Sequence, residues 1–482
     1  MDILVYVLSF FGVLNLLLAV TIIFLERRNV AATWAWLLVL FFIPIAGFFL
    51  YIIFGQNLSK RKIFKLTTQQ KREFGRELEE QKQLIEVNQM RYSDPSTVQY
   101  ESLIYMNVIS GYSLLTQDND IEIFTDGHDK FDALLESIDH AQDHIHLVYY
   151  IFRNDHIGKR VLDALTEKAR DGVEVRILYD DMGCSRVPKR FFKPLIEAGG
   201  EVAIFFPSRI LPFLNFRVNY RNHRKIVIID GKIGYVGGFN IGDEYLGLNK
   251  KFGYWRDTHL KVAGSAVDTL QTRFFLDWNS ASPEKSAFEK RYYPLKKSNG
   301  STAVQILSSG PDSEWHQIRN GILKMIYSAK KSIDIQTPYF VPDESVMNAL
   351  KIAAVSGVDV RIMIPNKPDH MFVYWATYSY VGELLDAGAK CYKYDNGFIH
   401  AKTIVVDGEV ASVGTANFDV RSFKLNFEVN AFIYGTNAAK RLENIFEDDI
   451  LRSTELTKEM YDQRSRGIKF KESISRLLSP IL

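Results

Sequence analysis

The chain has 482 residues, 47% apolar and 24% charged, and its 59 Lys plus Arg against 57 Asp plus Glu leave a net charge of +2. That length exceeds one ordinary core and suggests about three domains, and the near-neutral balance speaks against a dedicated nucleic-acid binder, which would carry a clear basic excess. Cys184 and Cys391 show no C-x-x-C spacing, which excludes a disulfide framework and a zinc site, so both read as packing residues.

In chain order the first element is apolar. Residues 3–25 and 33–54, 23 and 22 residues long, carry no charge. At ~1.5 Å per residue each covers the ~30 Å thickness of bilayer hydrocarbon. A signal peptide would have a shorter apolar region behind basic residues, whereas here only Asp2 precedes it. A two-helix transmembrane hairpin over 1–56 is predicted, turning at Glu26-Arg27-Arg28-Asn29, with both ends on one side. Lys60, Arg61, Lys62, Lys65, Lys71 and Arg72 outnumber Arg27 and Arg28, which places the rest of the chain in the cytoplasm by the positive-inside rule. Trp34, Trp36 and Tyr51 fit interfacial anchors. Pro44 and Gly47 read as packing residues, with a kink as the alternative.

Residues 57–110 read as a largely helical linker, charged and Gln-rich at first, with a break at Asp94-Pro95. Beyond it the chain repeats itself. Residues 145–152 (IHLVYYIF) match 333–340 (IDIQTPYF), 172–178 (GVEVRIL) match 357–363 (GVDVRIM), and 195–200 (LIEAGG) match 384–389 (LLDAGA). A period this long marks a duplicated domain, not a solenoid. In the first copy helices over 130–141 and 158–171 alternate with strands over 145–152 and 173–179, and strands over 201–206, 225–229 and 233–236 follow. The fold class is α/β, mixed sheets flanked by helices, in two pseudo-symmetric domains, 111–295 and 296–482. Equivalent sites would meet at the axis between them.

Each copy holds one motif, His223-x-Lys225-x4-Asp230 and His400-x-Lys402-x4-Asp407. An extended chain puts His and Lys on one face, and the β-branched run that follows buries the strand. Gly237 and Asn240 lie 14 and 17 residues after His223, and Gly414 and Asn417 keep the same spacing after His400. Two such copies are not accidental. Asp257 and Glu428, each seven residues before a glycine, are candidates to hold the histidine ring N–H groups and set the tautomers, against the plainer role of a salt-bridging acid.

These residue types suit phosphodiester chemistry. One neutral imidazole attacks phosphorus and forms a phospho-histidine, while the other, protonated, donates to the departing alcohol and then deprotonates the incoming one. Lys225, Lys402, Asn240 and Asn417 would surround the non-bridging oxygens. Asp230 and Asp407 complete the motifs as candidate catalytic residues, although their distance along the strand suits an orienting or fold-holding role better. No metal or cofactor is required.

The paired motifs resemble those of the phospholipase D superfamily. Residues 33–38 (TWAWLL), 44–47 (PIAG) and 50–55 (LYIIFG), with 237–245, 337–343 and 414–417, are similar to the bacterial cardiolipin synthases. That resemblance covers essentially the whole chain. It implies phospholipase D-like domains, a bacterial cell membrane location, and transfer of a phosphatidyl group between two phosphatidylglycerol molecules with release of glycerol. It also implies that His223 is the nucleophile and His400 the acid and base. Phosphatidylglycerol and anionic membrane lipid are the expected partners, and no nucleic acid is. Residues 210–216 beside Arg217, Arg221 and His223 would suit an interfacial wedge or a buried loop. The aromatics of 371–378 suit core or substrate tunnel, and the amphipathic 468–482 would dock on the domain or the membrane. The competing readings are a lipid hydrolase with the same histidines, a membrane-bound nuclease, which would show a basic and aromatic groove, and a non-catalytic scaffold, in which one motif should have degenerated.

Overall fold

The computed structural model describes residues 2–24, 30–54, 68–207, 220–296, 298 and 300–479. Its first helix, α1 (Asp2–Phe24), is one unbroken apolar element. The second apolar stretch differs from the expected single span. It forms two helices, α2 (Val30–Phe42) and α3 (Pro44–Phe54), that fold back on each other. The Trp36 and Tyr51 ring centroids lie 5.3 Å apart, whereas a straight helix would separate these residues by about 22 Å.

The cause is local. Pro44 has no N–H to give to the Leu40 carbonyl. That carbonyl instead accepts from the Asn15 amide of α1 at 3.0 Å, and the same amide reaches Pro44 O at 2.9 Å. At Gly47 a Cβ would stand 2.6 Å from Val39 O, so the close return of α3 along α2 requires glycine. Pro44 and Gly47 thus make the bend and the packing together.

The charged linker forms a helix, α4 (Thr68–Glu86), which packs on α5 (Glu101–Gly111). At the expected break, Asp94 caps the turn Pro95–Tyr100 by accepting from Ser96 N. In the first repeat the alternation follows the sequence closely. Helix Gly127–Asp139 leads to strand His144–Tyr149, helix His156–Arg170 to strand Glu174–Asp180, and strands Glu201–Phe205, Ile226–Ile229 and Ile233–Gly237 follow.

Among the described residues Phe340–Val341 with Phe418–Asp419 and Phe398–Ile399 with Trp255–Arg256 pair separately, and fifteen strands form one sheet. From its middle outwards each half runs in the same order. The first half begins at Thr116–Phe124, then His259–Ala263, Ile233–Gly237, Ile226–Ile229, His144–Tyr149, Glu174–Asp180 and Glu201–Phe205. The second begins at Thr302–Ser309, then Glu428–Tyr434, Val410–Gly414, Thr403–Val406, Ser332–Gln336, Asp359–Pro365 and Lys390–Tyr394, with Ser453–Glu455 added at the edge. The halves join where Thr116–Phe124 pairs antiparallel with Thr302–Ser309. Every residue of Ile226–Ile229 and Thr403–Val406 is buried, so apolar packing on both faces fixes the strands that follow the two motifs. Cys184 and Cys391 are buried and unbridged, as packing residues should be.

Candidate active site

Both histidines stand just before these strands rather than on them. Residues 221–223 run beside the chain that leads to Glu428. Phe427 N donates to Arg221 O at 2.8 Å, and His223 N to Phe427 O at 2.9 Å. Phe398–Ile399 pairs in parallel with Trp255–Arg256, and His400 N donates to Arg256 O at 2.7 Å. Each motif is therefore stitched to the segment that precedes the other repeat's carboxylate. The sequence signalled the carboxylates, and the structure shows that they cross over.

His223 Nδ1 lies 3.0 Å from both Glu428 oxygens, and His400 Nδ1 lies 2.7 Å from Asp257 Oδ2. Both carboxylates are fully buried, and the histidine side chains are 12% and 11% exposed. With the proton on each Nδ1 donated to a carboxylate, each Nε2 carries a free lone pair. Lys225 Nζ donates to His223 O at 2.6 Å, and Lys402 Nζ is bound to His400 O, 2.7 Å from Nδ1 of the same ring.

Burial lowers the pKa of His223, partly offset by Glu428. Burial, with Lys402 beside it, lowers that of His400 to about 4. Burial also brings Lys225 down to about 7 and Lys402 to about 8. Burial alone would raise the two acids. Lys402 and His400 outweigh it at Asp257, and His223 and Lys225 at Glu428, so both carboxyls sit below their usual range. His223 feels the charge of Lys402, and His400 that of Lys225. The six side chains form one electrostatic unit. A phosphodiester anion entering it raises the pKa of all four basic groups.

Three side chains that sequence reasoning missed complete the arrangement. The Thr415 hydroxyl donates to Glu428 Oε2, and Asn426 Nδ2 reaches Oε1 at 3.2 Å. The Tyr150 ring packs edge-on against His223 at 4.9 Å. A signal for Thr415 lay in the repeat, where it stands opposite Gly238. A Cβ on Gly238 would come within 1.8 Å of Asp257 Oδ1, so the shorter acid pairs with glycine and the longer acid with a threonine donor.

Asn240 is held locally. Its Oδ1 accepts from Ile151 N at 3.1 Å and its Nδ2 donates to Tyr245 OH at 3.0 Å. Asn417 is buried, with no hydrogen bond to Oδ1. Asp230 and Asp407 bind backbone N–H groups. Asp230 accepts from the N–H groups of Gln142, Asp143 and His144, and Asp407 from those of Lys330, Lys331 and Ser332. Each sits at positive φ, 52° and 56°, and pins the start of a central strand, about 20 Å along the chain from its histidine. Asp230→Ala is therefore expected to cost ~2–4 kcal/mol, several charge-assisted bonds being lost together, with turnover per folded molecule unchanged. Denaturant unfolding and activity titration of the same sample check both halves.

Arg221 lies 3.9 Å from Asp180 and is buried beside the site. The proposed wedge 210–216, with Arg217, lies outside the described residues. The aromatics of 371–378 belong to helix Met371–Asp386, against which the C-terminal helix Arg466–Leu478 docks, with Arg476 on Glu383 and Lys471 over the Trp375 ring. That helix end lies on the domain. Among the described residues no group of three or more His, Cys, Asp or Glu is arranged to hold a metal ion.

Two like motifs sharing one buried site between two repeats define a phosphodiester-transferring enzyme of the phospholipase D type. The family described as "Cardiolipin synthase, PLD-like domain" matches residues 134–274 and 322–450, and that described as "Phospholipase_D-nuclease N-terminal" matches 13–56. Cardiolipin synthase of Listeria monocytogenes serotype 4a (strain HCC23) is 57% identical over 483 residues, covering 100% of both chains, and the major cardiolipin synthase ClsA of Bacillus subtilis (strain 168) is 57% identical over 98% of both. The solved phosphatidylserine synthase of Haemophilus influenzae Rd KW20 shares the fold, with a TM-score of 0.59 at 17% identity over 77% of this chain and 97% of its own. The chain belongs to the cardiolipin synthase family. It is a phosphatidyltransferase and a membrane protein, and phospholipid is its class of substrate.

Proposed function

We propose that the enzyme transfers a phosphatidyl group from one phosphatidylglycerol to the hydroxyl of a second, releasing glycerol, through a phosphatidyl-histidine. The observation that carries this reading is the crossed pair of histidines, each ring held by a carboxylate of the other repeat. His223 Nε2 attacks the donor phosphorus as the bond to the glycerol oxygen breaks, and His400 supplies the proton that glycerol takes away. His400, now neutral, accepts a proton from the second lipid's hydroxyl, whose oxygen displaces His223 from phosphorus. Lys225 and Lys402 offset the charge on the non-bridging oxygens, with Asn240 and Asn417 near them.

The chain works as an anchor (1–56), a linker (57–110) and two catalytic domains (111–295 and 296–482), with the domains on the cytoplasmic face of a bacterial cell membrane and anionic lipid as their partner. Purified enzyme given phosphatidylglycerol vesicles should form cardiolipin and glycerol in equal amounts. Phosphatidic acid without cardiolipin would make the enzyme a hydrolase instead.

The lysines set one limb of the pH profile. Each must be protonated to hold a phosphate, and burial brings them to about 7 and about 8. The second-order rate constant should therefore fall as pH rises through that window and recover as pH drops below it. At saturating lipid the limb should move to higher pH, because the bound anion stabilises both ammonium groups. A profile flat from neutral pH to 9 would rule this out.

A further inference from the structure

We propose that the anchor crosses the bilayer only once, and that its second apolar stretch enters and leaves through the leaflet facing the catalytic domains. The N-terminus and those domains would then lie on opposite sides of the membrane. The proposal rests on the reading of the chain as a membrane-bound lipid enzyme, and changes how it is held there.

Length decides first. Crossing ~30 Å of hydrocarbon takes about 20 helical residues. Helix α1 has 23, whereas α2 has 13 and α3 has 11, about 20 Å and 16 Å. Neither shorter helix spans alone. Because they run antiparallel, with Trp36 against Tyr51, their lengths do not add.

Depth agrees. The bend is fixed to α1 at Asn15, which donates to Leu40 O and Pro44 O. Asn15 lies nine residues before the end of α1 at Phe24, about 14 Å along the helix and close to half the hydrocarbon thickness. A carbonyl freed by proline at mid-bilayer needs a donor inside the protein, since lipid offers none, and the buried Asn15 amide supplies it. At the bend Phe41, Phe42 and Ile43 are 78%, 72% and 50% exposed. A turn reaching the far headgroups would present polar side chains, whereas this tip is suited to acyl chains.

Charge agrees as well. With α2 and α3 returning, the ends at Phe24, Val30 and Phe54 lie at one surface. Arg27 and Arg28 follow the first of these ends in sequence, and Lys60, Arg61, Lys62 and Lys65 follow the last. On the proposed topology all six would fall on the side of the catalytic domains. Two full spans would divide the basic residues between the two sides, whereas one span and a returning hairpin put the positive-inside rule in full agreement with itself.

The test is site-directed labelling in the full-length enzyme. Cys184 and Cys391 are buried, so single variants Asp2→Cys, Asn29→Cys and Ser59→Cys report their own positions to a membrane-impermeant maleimide. In intact spheroplasts Asp2→Cys should label, while Asn29→Cys and Ser59→Cys should label only in inverted vesicles. Asp2→Cys and Ser59→Cys on one side with Asn29→Cys on the other would overturn the proposal in favour of two spans, and all three on one side would overturn it in favour of none. Each variant is also assayed for cardiolipin. An active enzyme with either overturning pattern rejects the topology and leaves the proposed reaction standing, and the expected pattern in an inactive parent enzyme rejects the reaction alone.

Discussion

Alanine at either His223 or His400 is expected to lower cardiolipin formation by at least ~10²–10⁴-fold, the range for losing one acid–base partner, with the larger loss where the nucleophile itself is removed. The two effects should not add, because the histidines serve one site and the double variant has little left to lose. Acid quenching with radiolabelled phosphatidylglycerol separates their roles. No protein-bound lipid should form in His223→Ala. In His400→Ala an adduct should form from a donor with a leaving group that needs no proton, and then persist. Near-parental synthesis in either variant would refute the shared site, and an adduct trapped on His400 would exchange the two roles.

Asp257→Asn and Glu428→Gln should each lower turnover by ~10²–10⁴-fold, as far as a histidine held in the wrong tautomer does in other enzymes. An amide in place of the carboxylate presents N–H as well as oxygen to Nδ1. Where the N–H faces it, the ring proton is driven to Nε2 and the lone pair needed there is lost. The crossover makes the prediction specific. Glu428→Gln should impair adduct formation through His223, although it lies in the other repeat. Asp257→Asn should impair proton delivery by His400, and a donor with a good leaving group should restore the first step. Loss of the carboxylate also removes the charge that offsets burial at the paired histidine, so in Glu428→Gln the acid limb set by His223 should move to lower pH, and in Asp257→Asn the alkaline limb set by His400 as the acid should do so. The reverse pattern of rescue would contradict the pairing.

Much of this was legible in the sequence because it is local. The strands around His223 were marked by runs such as 226–229, and the duplication by segments with only loop-sized differences in spacing. What was not legible depends on distant contacts. Glu428 could be recognised as the counterpart of Asp257, but its grip on His223, 205 residues away, follows from strand pairing that spacing does not encode. Asp230 belongs to the motif by position, yet its carboxylate turns back to the N–H groups of 142–144, a consequence of positive φ that no spacing reveals. Pro44 drew attention as a possible kink. The depth of the bend depended on Asn15, the one amide side chain in α1.

The continuous sheet with its exchanged carboxylates has a consequence for inheritance. Neither half is a smaller enzyme, because each histidine lacks its orienting acid until the other half arrives. Either half alone would need a second chain to return the missing acid. Within each half the acid and its neighbour are matched, Gly238 with the shorter Asp257 and Thr415 with the longer Glu428. A change in one repeat is selected through the histidine of the other, which keeps both motifs intact.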